Sequence, residues 1–239
     1  MLCFQRLATV KAISFDLDDT LYNNQPIIHA AEAAMQQWLL KQYPRASQWG
    51  LADWRQCKLQ QFALNPALQH DTTAARKAML FAGLMTLGYS HAEAEVGAEQ
   101  GLAYFYDCRS DFRVSDAIIE LLMQLKQRYR LIGITNGNVD HQRIGLGEAL
   151  EWVLHPGNGV RMKPYPDMFL QAQSALGLPL SQLLHVGDHP ITDVEGARRA
   201  GAQAVWLAPA FEQATLRPLG RLLPHWRISH PTELALLLS

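Results

Sequence analysis

Three features of the amino-acid sequence predict an α/β fold built on a parallel sheet and interrupted early by a block of helices. A short apolar run near the amino terminus ends abruptly in acidic residues, as a buried strand entering a polar loop does. A long stretch of Ala-, Gln- and Leu-rich sequence with helical spacing follows. After Ser110 the chain alternates between strand-like and helix-like units, the pattern of a sheet covered by helices on both faces.

In KAISFDLDDTLY, Ile13 and Phe15 bracket Ser14 and the apolar run stops at Asp16, which puts that carboxylate at a strand's carboxyl end. From about Pro26 to Cys108, the segments AAEAAMQQWLL, DWRQCKLQQFAL and TAARKAMLFAGLMTLG read as helices. Trp38, Trp49 and Trp54 are expected in the core of that insert rather than as a stacking platform. The alternating part predicts a helix near Ser115 to Tyr129, a strand at LIGIT, and a helix near Tyr165 to Leu176. A strand at LLHVGD, a helix through Val194 to Ala200 and a strand at AVWLA complete it. The tail from Pro209 to Pro231, with four prolines, is expected to wrap the surface before a last short helix. The expected division is a core of residues 1–22 and 111–239 with an insert of residues 23–110, hinged near Asn23 to Pro26 and Ser110 to Arg113.

The chain has 239 residues, 49% of them hydrophobic and 18% charged, enough for a packed core and inconsistent with disorder. A formal net charge of -1 supplies no global attraction to nucleic acid or an anionic membrane, so an anion must be captured locally. Cys3, Cys57 and Cys108 are odd in number and far apart, which argues against a disulfide framework and fits a reducing cytoplasm. The amino terminus is broken by Gln5, Arg6 and Lys11 before a signal-type apolar stretch develops, and no later run is long enough to span a bilayer. Whether the chain is a monomer or a homodimer is left open.

Ligands of an open parallel sheet bind at the carboxyl ends of its strands, so polar residues that end several strands should meet. The candidates are Asp16 to Thr20 after the first strand, Thr135, Asn136 and Gly137 after the next, Lys163 and Pro164 in a loop, and Gly187, Asp188 and Asp193 after the last. Alone, each has a plainer reading: an acidic patch capping a helix, a strand-ending hydroxyl, a surface lysine before proline, an N-cap at Asp193. His185 and His189 have an i, i+4 spacing that binds zinc on a helix, but here a strand and a loop separate them. No G-x-x-x-x-G-K-[ST] loop and no G-x-S-x-G elbow occurs, which removes the usual warrants for nucleotide-driven and serine chemistry.

Taken together, D-x-D-x-T at 16–20, the strand-ending Thr135, Lys163-Pro164 and G-D-x-x-x-x-D at 187–193 resemble the four motifs of the haloacid dehalogenase superfamily of phosphohydrolases, in order and over essentially the whole chain. The resemblance implies a Rossmann-like core with an inserted α-helical cap. It implies Asp16 as a nucleophile that forms an aspartyl phosphate and Asp18 as general acid and base. Lys163 would balance charge, and Thr135 with the amide of Asn136 would bind phosphoryl oxygens. Mg2+ would be held by Asp16, the backbone carbonyl of Asp18 and Asp188, with Asp193 orienting a metal-bound water or Lys163.

A helical cap over the strand ends excludes water and reads the leaving group, which implies a small-molecule phosphomonoester as substrate rather than a phosphoprotein. The stretches SFDLDDTLYNN, ITNGN, KPYPDMF and HVGDHPITDVEGA further resemble bacterial flavin mononucleotide phosphatases, relatives of which act on 5-amino-6-(5-phospho-D-ribitylamino)uracil in riboflavin biosynthesis. Tyr22, Asn23, Arg76 and Tyr104 are candidates to touch the substrate. A dehalogenase of this fold has no use for a metal or a second acid, so Asp18 with Asp188 argues against one. A phosphonatase would place a Schiff-base lysine in the cap, where Lys41, Lys58 and Lys77 all sit in helix-like, exposed patterns. A sugar-phosphate phosphatase or phosphomutase, and a non-catalytic binding protein that keeps the fold, remain as alternatives.

Overall fold

The computed structural model describes residues 1–208 and 220–237. Its strands are β1 (Leu2–Cys3), β2 (Ala12–Phe15), β3 (Arg130–Ile134), β4 (Val153–Leu154), β5 (Leu183–Gly187), β6 (Gln203–Leu207) and β7 (Trp226–Ile228). They form one sheet in the order β1-β7-β6-β5-β2-β3-β4, parallel throughout except where β1 meets β7. All residues of β2 and β5 are buried, because helices cover both faces of a parallel sheet. Ser14 lies opposite Ile132 of β3 and His185 of β5, so the carboxyl ends of the three central strands come out level.

Four helices, α1 (Asn24–Gln42), α2 (Leu51–Leu64), α3 (Thr72–Thr86) and α4 (His91–Arg109), fill the stretch read as an insert. Asn23 caps α1 by accepting from the Gln25 amide, and Ser90 with Glu93 closes a capping box at the start of α4. These helices bury a core of their own, with Met35, Leu39, Trp54, Met79, Leu80, Leu84 and Phe105 at its centre and Trp38 and Trp49 against its edge. The indole of Trp54 sits on Gly83, where an added Cβ would approach within 2.2 Å. Lys58 departs from the exposed position expected of it: it is half-buried, and burial, followed by the charge of Arg76, lowers its pKa.

The rest of the chain packs α5 (Asp116–Lys126), α6 (Asp167–Leu176), α7 (Gly196–Ala200) and α8 (Glu233–Leu237) around the sheet. Ile13, Phe15, Leu122 and Leu131 build one core cluster, and Ala12, Ile132, Ile134 and Phe169 build another. Where a helix through Val194 to Ala200 was expected, a π-helical turn at Pro190–Glu195 precedes α7. The short strands β1, β4 and β7 carry too few residues to show a period in sequence. Residues 209–219 of the proline-containing tail lie outside the described residues. Among the described residues, no helix is long and apolar enough to cross a membrane.

Two imidazoles are buried beside this sheet. Burial, with the charge of Arg198, lowers the pKa of His225 to about 4, and burial, with the charge of Lys163, lowers that of His185 to about 4. A histidine whose folded pKa is depressed contributes stability above its unfolded pKa, about 6.5, that is lost as pH falls toward the folded value. The protein is therefore expected to lose thermal stability between about pH 6.5 and pH 4. His225→Gln should flatten part of that slope in unfolding scans across the range, and an unchanged slope would remove His225 from the account.

Candidate active site

The level carboxyl ends of β2, β3 and β5 deliver the site. The Asp16 amide still donates to Val186 O at 2.9 Å, so its side chain is the first to leave the ladder on that edge. The chain then turns back on itself: Thr20 N and Leu21 N both reach Leu17 O, and Asp19 adopts a left-handed φ of 58°. The Asp19 carboxylate accepts from the Asn24 amide at 2.9 Å and ties the turn to the start of α1.

Asp16 and Lys163 are both buried, with Lys163 Nζ donating to Asp16 Oδ1 at 2.7 Å. Nζ also lies 2.7 Å from Asp193 Oδ1 and donates to Ile134 O. The Lys163 backbone is gripped by one side chain: its amide donates to Asn136 Oδ1 at 2.8 Å, and Asn136 Nδ2 donates to its carbonyl at 2.9 Å. The Lys163–Pro164 peptide is cis. Thr135 is buried at the end of β3, and its Oγ1 accepts from the Gly137 amide at 3.0 Å.

After β5, the π-helical turn carries Asp193 back against the strand end. A Cβ on Gly187 would fall 2.4 Å from the Asp193 carboxyl carbon, so only glycine admits that carboxylate. Asp193 Oδ2 accepts from the His189 amide at 2.8 Å, and His189 itself caps the turn by accepting from Ile191 N and Thr192 N. His185 lies behind, with Nδ1 at 2.8 Å from Ser14 Oγ and Nε2 at 3.5 Å from Asp193 Oδ1. Thr20 Oγ1 bridges Asp16 Oδ2 and Asp188 Oδ1 at 3.4 and 3.3 Å.

The electrostatics are unequal. Burial raises the Asp16 carboxyl well above the usual range, Asp193, Asp188 and Asp18 add to it, and Lys163 opposes. Burial pulls Lys163 down, but Asp16 and Asp193 outweigh it and hold the ammonium charged. Asp193 is driven far below the carboxylate range, because Lys163 and His185 overcome its burial. Carboxylate oxygens of Asp16, Asp188 and Asp193 lie within 4.8 Å of one another. That oxygen-only donor set, with more carboxylate charge than Lys163 neutralises, fits a hard divalent cation. Asp193 is committed to Lys163 and the His189 amide, which leaves Asp16 and Asp188 as the side chains best placed to share one.

Asp18 makes its hydrogen bonds outside this cluster. Its Oδ1 accepts from the Tyr22 hydroxyl and from Arg109 Nη2, and its Oδ2 fills the space a Gly137 Cβ would need, 2.4 Å from that position. Asp16, Asp18, Thr135, Asn136, Lys163, Asp188 and Asp193 thus line one open cleft of about 240 Å³. Of the other candidates, Tyr22 meets Asp18, and Asn23 spends its side-chain oxygen on the cap of α1. Arg76 lies over the Phe105 ring and 3.7 Å from Glu32, and Tyr104 stacks on Trp38.

Sequence reasoning missed Arg109, which is 2% exposed, and the clamp that Asn136 closes on Lys163. A basic residue in the last turn of a helix reads as a partner of the helix dipole, so nothing local marked Arg109. The Asn136 clamp pairs residues 27 apart and has no sequence signature.

The model of the haloacid dehalogenase-like hydrolases matches residues 10–201. The chain is 34% identical over 235 residues to the 5-amino-6-(5-phospho-D-ribitylamino)uracil phosphatase YigB of Escherichia coli K12, covering 98% of this chain and 99% of that protein. It is 26% identical over 236 residues to the N-acetylmuramic acid 6-phosphate phosphatase of Pseudomonas aeruginosa, covering 94% and 93% of the two. The crystal structure of a 2-haloacid dehalogenase from Pseudomonas syringae pv. Tomato DC3000 superposes with a TM-score of 0.89 at 32% identity, covering 96% of this chain and 98% of that one.

Proposed function

The chain belongs to the haloacid dehalogenase-like hydrolases, and from that premise we propose that it is a magnesium-dependent phosphatase of small phosphomonoesters that works through an aspartyl phosphate on Asp16. The observation that carries this reading is the division of labour between two carboxylates. Asp16 is buried against Lys163 at the strand end, while Asp18 is held apart from it by Tyr22 and Arg109. A phosphatase needs such a pair, one carboxylate to attack phosphorus and another to move the proton.

In this reading Asp16 attacks with the oxygen that Lys163 does not hold, forming the acyl phosphate as the ester oxygen leaves with a proton from Asp18. Water then attacks the phosphorus of that acyl phosphate and gives its proton to Asp18, which restores Asp16 and releases phosphate. Thr135 and the Asn136 amide bind the equatorial oxygens, and Lys163, fixed by Asn136, offsets charge as it passes between phosphate and Asp16. Asp193 keeps the ammonium aimed. Mg2+, held by Asp16, Asp188 and the backbone carbonyl of Asp18, would supply the positive charge that lets a dianionic ester enter among carboxylates. The raised pKa of Asp16 supports that need, since the nucleophile must be ionised to attack.

The relative at 34% identity acts on a ribityl phosphate, which supports that precursor or flavin mononucleotide as substrate, and the odd, widely spaced cysteines support a reducing cytoplasm as its place. The similarity to a 2-haloacid dehalogenase points to the other chemistry of the fold. Halide leaves without a proton, so that chemistry gives Asp18 and its two donors no task. The test is release of phosphate from flavin mononucleotide, the ribitylamino-uracil phosphate, sugar phosphates and p-nitrophenyl phosphate, with magnesium and with chelator, beside halide release from 2-chloropropionate. Chelation is expected to lower phosphate release by roughly 100-fold or more. Undiminished turnover in chelator, or halide release in place of phosphate, would overturn the proposal.

A further inference from the structure

The four insert helices leave a gap. α1 packs against α4 and α2 against α3, and the space between α1 and α2, with α3 at its back, is a cavity of about 300 Å³. That volume stands at the lower end of small-molecule sites, roughly 300–1,000 Å³. The cavity shares no lining residue with the catalytic cleft. Solvent reaches it directly, because Glu32, Leu51 and Arg55, which line it, are exposed.

The lining is of two kinds. Met35, Leu39, Trp54 and Met79 are apolar, while Arg55, Lys58 and Arg76 stand against a single acid, Glu32. The Arg76 side chain is only 16% exposed, yet its guanidinium has no oxygen acceptor at hydrogen-bond distance among the described residues. Nη2 lies 3.7 Å from Glu32 Oε1, and Nη1 lies 3.9 Å from the Met35 thioether, a weak acceptor. Lys58 is half-buried and forms no ion pair among the described residues, and burial, followed by the charge of Arg76, lowers its pKa. Two partly desolvated cations that line one cavity with donors unspent are a costly arrangement, which a bound anion relieves.

The chemistry of the occupant follows from both halves of the lining. A guanidinium holds a carboxylate through two parallel bonds, and Lys58 adds a second charge beside it. The apolar residues call for a hydrophobic body on that head, and the Trp54 indole and the two methionine sulfurs favour an aromatic one. An inorganic anion would leave the apolar lining in water, and a neutral hydrophobe would leave the cations unanswered. We propose that the cavity between α1 and α2 is a second ligand site, distinct from the catalytic cleft, that binds a small aromatic carboxylate through Arg76 and Lys58. The proposal does not depend on the phosphatase reading, so either can fail alone.

The test is isothermal titration calorimetry of the full chain with 2-naphthoate and with its neutral isostere 2-naphthamide. The carboxylate is expected to bind at least about tenfold more tightly, the scale of one charge-assisted hydrogen bond. Lys58→Met and Arg76→Met keep apolar length in the lining and should each cut that preference to about threefold or less. Lys58→Met removes one of two neighbouring like charges and is expected to unfold at no lower temperature than wild type, so it carries the test even if Arg76→Met does not fold. Asp16→Asn, which makes the catalytic cleft less negative, should leave naphthoate affinity within about twofold, as expected of an independent site. Three results would overturn the proposal: no naphthoate binding at about 1 mM, equal affinity for acid and amide in wild type, or a preference that survives Lys58→Met. Tighter naphthoate binding in Asp16→Asn would overturn it as well, because the anion would then sit in the cleft.

Discussion

Asp16→Asn is expected to reduce phosphate release by roughly four orders of magnitude or more, the scale on which enzymes lose rate when a covalent nucleophile is removed. The amide has nearly the shape of the carboxylate, so Lys163 Nζ still finds an oxygen acceptor where Asp16 Oδ1 stood at 2.7 Å. What changes is charge. The Asp16 carboxyl is raised above its ordinary pKa by burial and by three acidic neighbours, so its contribution to stability is present at low pH and lost as pH rises through the folded value. Without metal, ionising this side chain therefore weakens the fold. The Asn variant should therefore be inactive and, in chelator, at least as stable as wild type in thermal unfolding. Loss of activity with a parallel loss of stability would mean that Asp16 serves the fold and that the drop in rate follows from unfolding.

Such a trade between function and stability explains which parts of the site sequence could reveal. Asp16, Thr135, Lys163, Asp188 and Asp193 stand where strands end or beside a turn-forming glycine or proline, so strand pattern and motif order locate them together. Their convergence depends only on the level ends of β2, β3 and β5, which alternation of strands and helices implies. Arg109 lies 91 residues from Asp18, and its pairing depends on how the end of α4 meets the sheet, which no periodicity encodes. The π-helical turn reads in sequence as loop and helix because a widened turn has the same residue types as an α-helical one; its sign is Gly187, needed for the carboxylate of Asp193. The short edge strands β1, β4 and β7 are set by their neighbours' register rather than by their own composition.

Lys163→Met is expected to damage both activity and stability, and the two losses should separate. The ammonium touches Asp16, Asp193 and the Ile134 carbonyl with almost no exposure, so its removal leaves two buried carboxylates facing one another. Breaking a buried pair from one side costs about 3–5 kcal/mol. The sign with pH follows from Asp193, whose depressed pKa contributes stability above the ordinary carboxylate value that disappears as pH falls. Without Lys163 that contribution is gone, so in chelator the gap between wild type and variant should be wide near neutrality and narrow only as pH falls below about 4 in denaturant titrations. Adding Asp193→Asn to Lys163→Met removes one of the stranded charges and should recover much of the lost stability. It should not recover phosphate release, which is expected to stay down by roughly 100-fold or more, because the transferring group then meets no cation from the protein. If stability and turnover return together in the double variant, Lys163 acts only as a counter-ion to Asp193, and charge balance at the phosphoryl group must come from elsewhere.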